Sequence, residues 1–147
     1  MSRYRGHVIA STACMGGELS TAAYNMTLAE GVNDLASAQQ FYNQICDFMN
    51  FCINTFGEDF YIELQDHGLQ EQKDSNPALM EIAEQLNIKT VITNDSHYLR
   101  AQDAAWHDTL LCEQTKSAKS NPNRFKFSVN EFYVKTREEM EEVLNMK

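Results

Sequence analysis

The stretch Ile92-Thr93-Asn94-Asp95-Ser96-His97-Tyr98-Leu99 sets a carboxylate and an imidazole two residues apart, after an apolar run. If extended backbone continues through Ser96, Asp95 and His97 project to the same side, because side chains alternate along a strand. A carboxylate beside an imidazole suits Zn, Mn or Fe, and suits hydrolysis in which a metal activates water. The competing reading is structural: Asp95 caps the following turn and His97 makes an ordinary loop hydrogen bond. Asp-x-His is short and recurs by chance, so spacing alone favours the turn. Cys14 offers a thiolate, but an isolated cysteine reads first as a small core residue. His67, with Asp66 before it and Gly68 after it, is a candidate ligand or general acid, and equally a turn histidine. His107, between Trp106 and Asp108, reads as a packed helix residue, and His7 at a strand start carries no functional expectation.

Other chemistries lack their signatures. There is no Walker-type phosphate loop, no Gly-x-Ser-x-Gly elbow and no His-Glu-x-x-His. Spaced aspartates of the kind that build a two-metal nucleotidyl-transfer centre are missing as well, and nothing in the spacing pairs Cys14 with a histidine as a nucleophile. The four cysteines, Cys14, Cys46, Cys52 and Cys112, form no CxxC pair and no zinc-finger spacing. A disulfide framework is therefore not expected, and free thiols fit a reducing compartment.

The candidate residues need elements to carry them. His7–Thr12 reads as a short buried strand entering the loop Ala13-Cys14-Met15-Gly16-Gly17. A helix is expected from Glu18 to about Glu30, closed by Gly31. A second spans Leu35 to Phe56, with Ala38, Phe41, Ile45, Phe48, Met49, Cys52 and Phe56 at three- and four-residue steps and Gly57 in the cap position. That stripe is core packing. Phe60–Leu64 is dense in aromatic and β-branched residues and predicts a strand. Asn76 and Pro77 carry the signal of a helix start, leading through Leu79, Ile82, Ala83 and Leu86. Thr90–Thr93 is a third strand, and Ala101–Cys112 a helix with Ala104, Ala105, Leu110 and Leu111 on or near its buried side. Phe125–Phe127 and Glu131–Val134 look extended, and Thr136-Arg137-Glu138-Glu139 is a capping box opening a last helix.

Alternation of strands and helices predicts an α/β fold with parallel strands and crossover helices. The three best strands end in loops carrying Cys14, then Asp66 with His67, then Asp95 with His97. Parallel barrels and open α/β sheets place their chemistry at strand carboxyl ends. The coincidence of three such loops outweighs any one motif.

Composition sets the outer bounds. The 147 residues, 43% of them hydrophobic, suffice for a domain with a real core. No apolar run approaches bilayer-crossing length and no signal-peptide pattern opens the chain, so no membrane partner and a cytoplasmic location are expected. A formal charge of −9 argues against a dedicated nucleic-acid grip. The charge is uneven: residues 1–115 hold five basic and 16 acidic side chains, whereas residues 116–147 hold seven basic and five acidic ones. Lys116, Lys119, Arg124, Lys126, Lys135 and Arg137 form either a solvated face or a contact surface for a polyanion or a larger protein.

Five segments, IASTACMGGEL (9–19), GEDFYIELQDHGLQEQ (57–72), VITNDSHYL (91–99), AAWHDTLLCEQT (104–115) and NPNRFKFSVNEFYV (121–134), together resemble the PHP domain of bacterial DNA polymerase III α subunits, the C-family replicative DNA polymerases. The resemblance runs in order from about residue 6 to residue 142. It implies a distorted (β/α)7 barrel, of which this chain is the C-terminal part over residues 1–115. Residues 116–147 would form a short irregular exit segment toward a polymerase palm that the chain lacks. PHP domains hold two or three metal ions at their strand carboxyl ends, and members with an intact cluster act as 3′–5′ exonucleases. In others the site has decayed, and the domain is a scaffold that docks a proofreading exonuclease subunit.

The family's mid-domain Cys and late Asp-x-His match Cys14, Asp95 and His97, which the resemblance makes metal ligands. His67 and Asp66, in the family's QDHG stretch, are placed near the site without a ligand role. The early His-x-His of the family has no counterpart here, so a Zn, Mn or Fe cluster is expected in the complete domain and a weak or empty site in this chain. The implied partners are the remainder of the α subunit, DNA through that parent protein, and a proofreading subunit. On this basis the isolated chain is expected to be inactive. Two alternatives stand beside it: a vestigial docking module, and a stand-alone phosphoesterase, against which the FKF and FYVK stretches weigh.

Overall fold

In a computed structural model, residues 5–144 are described. The elements are β1 (Ala10–Ser11), α1 (Glu18–Gly31), α2 (Leu35–Phe56), β2 (Phe60–Leu64), α3 (Gln70–Gln85), β3 (Lys89–Ile92), α4 (Ala104–Gln114) and α5 (Arg137–Leu144). Single 3₁₀ turns at Gly57–Asp59 and Ala101–Asp103 lead into β2 and α4. The chain divides into two compact units. One contains the chain up to Gln65 together with Gln70–Thr93; the other contains Asp66–Leu69 and the chain from Asn94 onward.

The first unit is a parallel sheet in the order β1-β2-β3 with α1, α2 and α3 packed on it. Ala10 pairs with Phe60, and Tyr61 to Leu64 pair in register with Lys89 to Ile92. Period-two burial along β2 sends Phe60, Ile62 and Leu64 into the core, against Leu19 and Ala23 of α1, Ile45, Met49 and Cys52 of α2, and Leu79 and Ala83 of α3. The stripe expected on α2 is the stripe it buries. Asp34 caps this helix by accepting from the Ser37 amide at 3.1 Å and the Ser37 hydroxyl at 2.6 Å, and those bonds hold its carboxyl below the usual aspartate range. Gly57 ends it at φ +63°, a backbone conformation that side chains resist.

In this unit two expectations needed correction. The first strand is shorter than His7–Thr12, because β2 offers pairing partners only to Ala10 and Ser11, with Thr12 N–H adding one bond to the Tyr61 carbonyl at 3.2 Å. The third helix starts at Gln70 rather than at Asn76, with the exposed Pro77 inside it. Asn76 is buried, and its Nδ2 donates to the Gln65 carbonyl at 3.0 Å, a tertiary bond rather than a cap.

In the second unit α4 buries Leu111 and leaves Leu110 and Ala105 exposed, so its apolar residues do not define one face. The segments 125–127 and 131–134 form no sheet; one parallel bridge, Tyr98 to Tyr133, joins the second of them to the 94–99 loop. The capping box at α5 is present, with Glu139 N–H donating to Thr136 Oγ1 at 3.2 Å and Thr136 N–H to Glu139 Oε2 at 2.7 Å. Among the described residues no helix is long and apolar enough to cross a membrane.

Candidate metal site

Asp95 and His97 lie together in the second unit, just after β3. His97 Nε2 stands 3.1 Å from Asp95 Oδ2, and both side chains reach solvent. In the tautomer that donates from Nε2, the free Nδ1 lone pair points away from Asp95, so an ion held by both residues would take the place of this hydrogen bond. The side chains meet, although the backbone here is a loop rather than the continued strand on which the same-side expectation depended.

The backbone of this corner is bonded as well. Asp95 N–H donates to His67 Nε2 at 3.2 Å, so the imidazole is an acceptor at that nitrogen. His67 is 1% exposed, and burial pushes its pKa below 6.5, partly offset by the Asp95 carboxylate. A neutral ring is what an amide donor needs. Asp66 forms the turn that presents His67: its Oδ1 accepts from Gly68 N–H at 2.7 Å, with Gly68 at φ +81°. His67 thus accepts from the backbone of the corner, and Asp66 holds the turn that carries His67.

An aromatic stack backs the site. His67 lies on Phe132 at 4.4 Å between centroids, Phe132 on Phe127 at 4.4 Å, and Phe127 on His107 at 5.2 Å. His97 meets the edges of Phe132 and Phe127 at 5.6 and 5.0 Å. Burial, with His97 nearby, lowers the pKa of His107 as well. Beside the stack is a cleft of about 310 Å³ whose lining includes Tyr98, His107, Asp108, Arg124, Phe127 and Asn130. Arg124 there is held by Asp108 at 2.6 Å, which keeps the Asp108 carboxyl below its ordinary range.

Cys14 belongs to the first unit, where it is exposed in the turn after β1. Glu63, on the face of β2 opposite the core, also lies in that unit and carries a network the sequence reading missed. Its carboxylate accepts from Ser11 Oγ and Thr93 Oγ1, each at 2.5 Å, and from Gln65 Nε2 at 3.2 Å. A charged residue at an alternate position of an otherwise apolar strand was the available signal. Among the described residues no three His, Cys, Asp or Glu side chains gather as a ready metal cluster. Asp95 and His97 supply the oxygen- and nitrogen-donor types that borderline divalent ions accept.

The basic tail is largely neutralised in place. Lys116 pairs with Glu113 at 2.5 Å, Lys119 and Arg124 with Asp108 at 3.6 and 2.6 Å, Lys135 with Glu131 at 3.0 Å and Arg137 with Glu141 at 2.9 Å. Less free positive charge remains than the count of lysines and arginines suggests.

No protein-family model matches the chain. Its sequence is 42% identical over 137 residues to the DNA polymerase III subunit alpha of Deinococcus radiodurans, covering 93% of this chain and 9% of that protein. It is 39% identical over 137 residues to the same subunit of Thermus aquaticus, 93% of this chain and 10% of the relative. It is also 38% identical over 112 residues to a DNA-directed DNA polymerase of Bacillus phage SPbeta, 76% of this chain and 9% of that protein. The chain spans about a tenth of the length of the curated relatives it matches. Nearly all of its residues, the Asp95–His97 corner among them, thus belong to a sequence homologous to one segment of the DNA polymerase III α subunits.

Proposed function

We propose that this chain is part of the PHP domain of a replicative DNA polymerase, and that Asp95 and His97 are two ligands of a divalent metal site serving 3′–5′ phosphodiester hydrolysis. The observation that carries the reading is the 3.1 Å pairing of Asp95 and His97 on a corner whose backbone is independently held. A bound ion would supply Lewis acidity and an activated water. The chain's own part is to present an oxygen and a nitrogen donor in fixed relation. The neutral, buried His67 holds the Asp95 amide, and the ring stack limits movement of His97. Cys14 is assigned to the same chemistry by the family resemblance alone, and the remaining ligands of a PHP barrel would come from other segments of the domain. Synthesis of DNA, contact with DNA and assembly with a proofreading subunit are proposed for the larger polymerase.

The test uses a polymerase α subunit carrying this segment. Asp95→Asn with His97→Ala should remove bound zinc or manganese, read by elemental analysis, and abolish degradation of a 3′-mismatched primer. Unchanged metal content in the double variant would sink the metal role. Loss of proofreading-subunit binding at unchanged metal content would favour the docking role instead.

A further inference from the structure

The Asp95–His97 corner has almost no regular structure of its own, yet its backbone is bonded throughout. The partner is the segment 131–134, more than thirty residues later in the chain. His97 N–H and Tyr98 N–H both donate to the Phe132 carbonyl, at 2.7 and 3.2 Å. Val134 N–H donates to the Tyr98 carbonyl at 3.1 Å, and Phe132 N–H to Tyr98 Oη at 3.3 Å. Asn94 Nδ2 donates to the Tyr133 carbonyl at 2.5 Å. The Phe132 side chain, 5% exposed, packs face-on against His67, whose Nε2 accepts the Asp95 amide. Residues 94, 97 and 98 are thus bonded directly to this segment, and residue 95 is bonded to a ring that rests on it.

The segment is itself fastened at its far end. Tyr133 Oη donates to Glu139 Oε1 at 2.9 Å, while Glu139 Oε2 takes the Thr136 amide at 2.7 Å at the start of α5. Lys135 Nζ returns to the Glu131 carbonyl at 2.7 Å and lies 4.0 Å from the Tyr133 ring centroid. This bracing gives a stretch without sheet or helix one set of positions.

We infer that residues 131–134 are a positioning strap for the Asp95–His97 corner, and that ion binding at the corner is coupled to seating of the strap and of α5. The coupling half of the inference rests on the metal reading above; the positioning half stands on the bonds alone. Groups behind metal ligands commonly change affinity ten- to a hundredfold, about as much as loss of a partner bond would predict. By linkage, an ion that prefers the ordered corner must favour the seated strap to the same degree.

The experiment uses the 147-residue chain and Co²⁺ alone as the probe. Val134→Pro removes the N–H that bonds Tyr98 while leaving the buried Phe132 in place, and Val134→Ala keeps that N–H as the control. The expected result is Co²⁺ binding about tenfold weaker in the proline variant, with an altered visible absorption band and faster amide exchange at His97 and Tyr98, and no change in the alanine variant. Equal Co²⁺ affinity and spectrum in wild type and Val134→Pro would overturn the inference while leaving the metal reading intact. If wild type itself binds no Co²⁺, the corner holds no ion in this chain and the coupling half fails, whereas the metal reading is decided by the α-subunit experiment above. Amide exchange then decides the strap: faster at His97 and Tyr98 in Val134→Pro supports it, and unchanged overturns it.

Discussion

At the scale of single residues, chemistry and support divide between neighbours in sequence. Asp95 and His97 face solvent, whereas His67 is buried and bonded to the Asp95 amide. Replacing His67 by Leu keeps bulk but leaves that amide without its acceptor. The bond is part-buried and its loss costs about 0.5–1.5 kcal/mol, so urea unfolding followed by the fluorescence of Trp106, the chain's one tryptophan, should shift by that amount. Asp108 makes a second prediction. The Arg124 hydrogen bond holds its folded pKa below the ordinary 3.8. The pair's contribution is therefore complete above the unfolded aspartate value and is lost as pH falls through the lowered folded value. Carboxyl NMR should find Asp108 titrating below 3.8, and Arg124→Gln should return it toward that value. A wild-type midpoint at or above 3.8 would contradict the ion pair.

At the scale of elements, the residues most legible in advance were those obeying local rules. The α2 stripe, the Gly57 cap, the Phe60–Leu64 strand and the Thr136 capping box depend on local composition, side-chain periodicity and termini, and each forms as read. The start of α3 did not. Asn76-Pro77 has the local chemistry of a helix start, but Asn76 spends its amide on the Gln65 carbonyl and the helix begins six residues earlier. Pro77 then lies inside a helix, where it cannot donate to the Lys73 carbonyl. Pro77 is exposed, so Pro77→Ala should stabilise the first unit. The gain is about 1–3 kcal/mol, less any loss of rigidity in the unfolded chain. Thermal unfolding followed by circular dichroism checks it, and a lower midpoint in the alanine variant would mean that the proline is relieving strain.

At the scale of the molecule, the two compact units separate the core from the candidate site. The first buries its apolar residues between a three-stranded sheet and three helices. The second gathers His67, the 94–99 loop, α4 and the tail around a ring stack. Two donors hold a divalent ion weakly when the rest of a ligand set must come from elsewhere. The purified chain should therefore neither extend a primer nor shorten a 3′ end measurably with Mn²⁺ or Zn²⁺, while a longer polymerase polypeptide carrying the same segment should do so. Exonuclease turnover by the 147-residue chain alone would require a complete site within it.

By itself the sequence determined the order of strands and helices and the core stripe, because each depends on residues only a few positions apart; it placed Asp95 two residues from His97 without deciding that they pair. Its likeness to DNA polymerase III α subunits was legible in the same way, from ordered segments along most of the chain. Only the tertiary structure decided that His67 serves the Asp95 backbone, that Glu63 gathers Ser11, Gln65 and Thr93, and that Lys119 and Arg124 meet Asp108. It alone joined residues 131–134 to the corner, since hydrogen bonds between backbone groups leave no trace in residue identity. Every non-proline residue carries the same donor and acceptor, and only the folded path of the chain selects their partners.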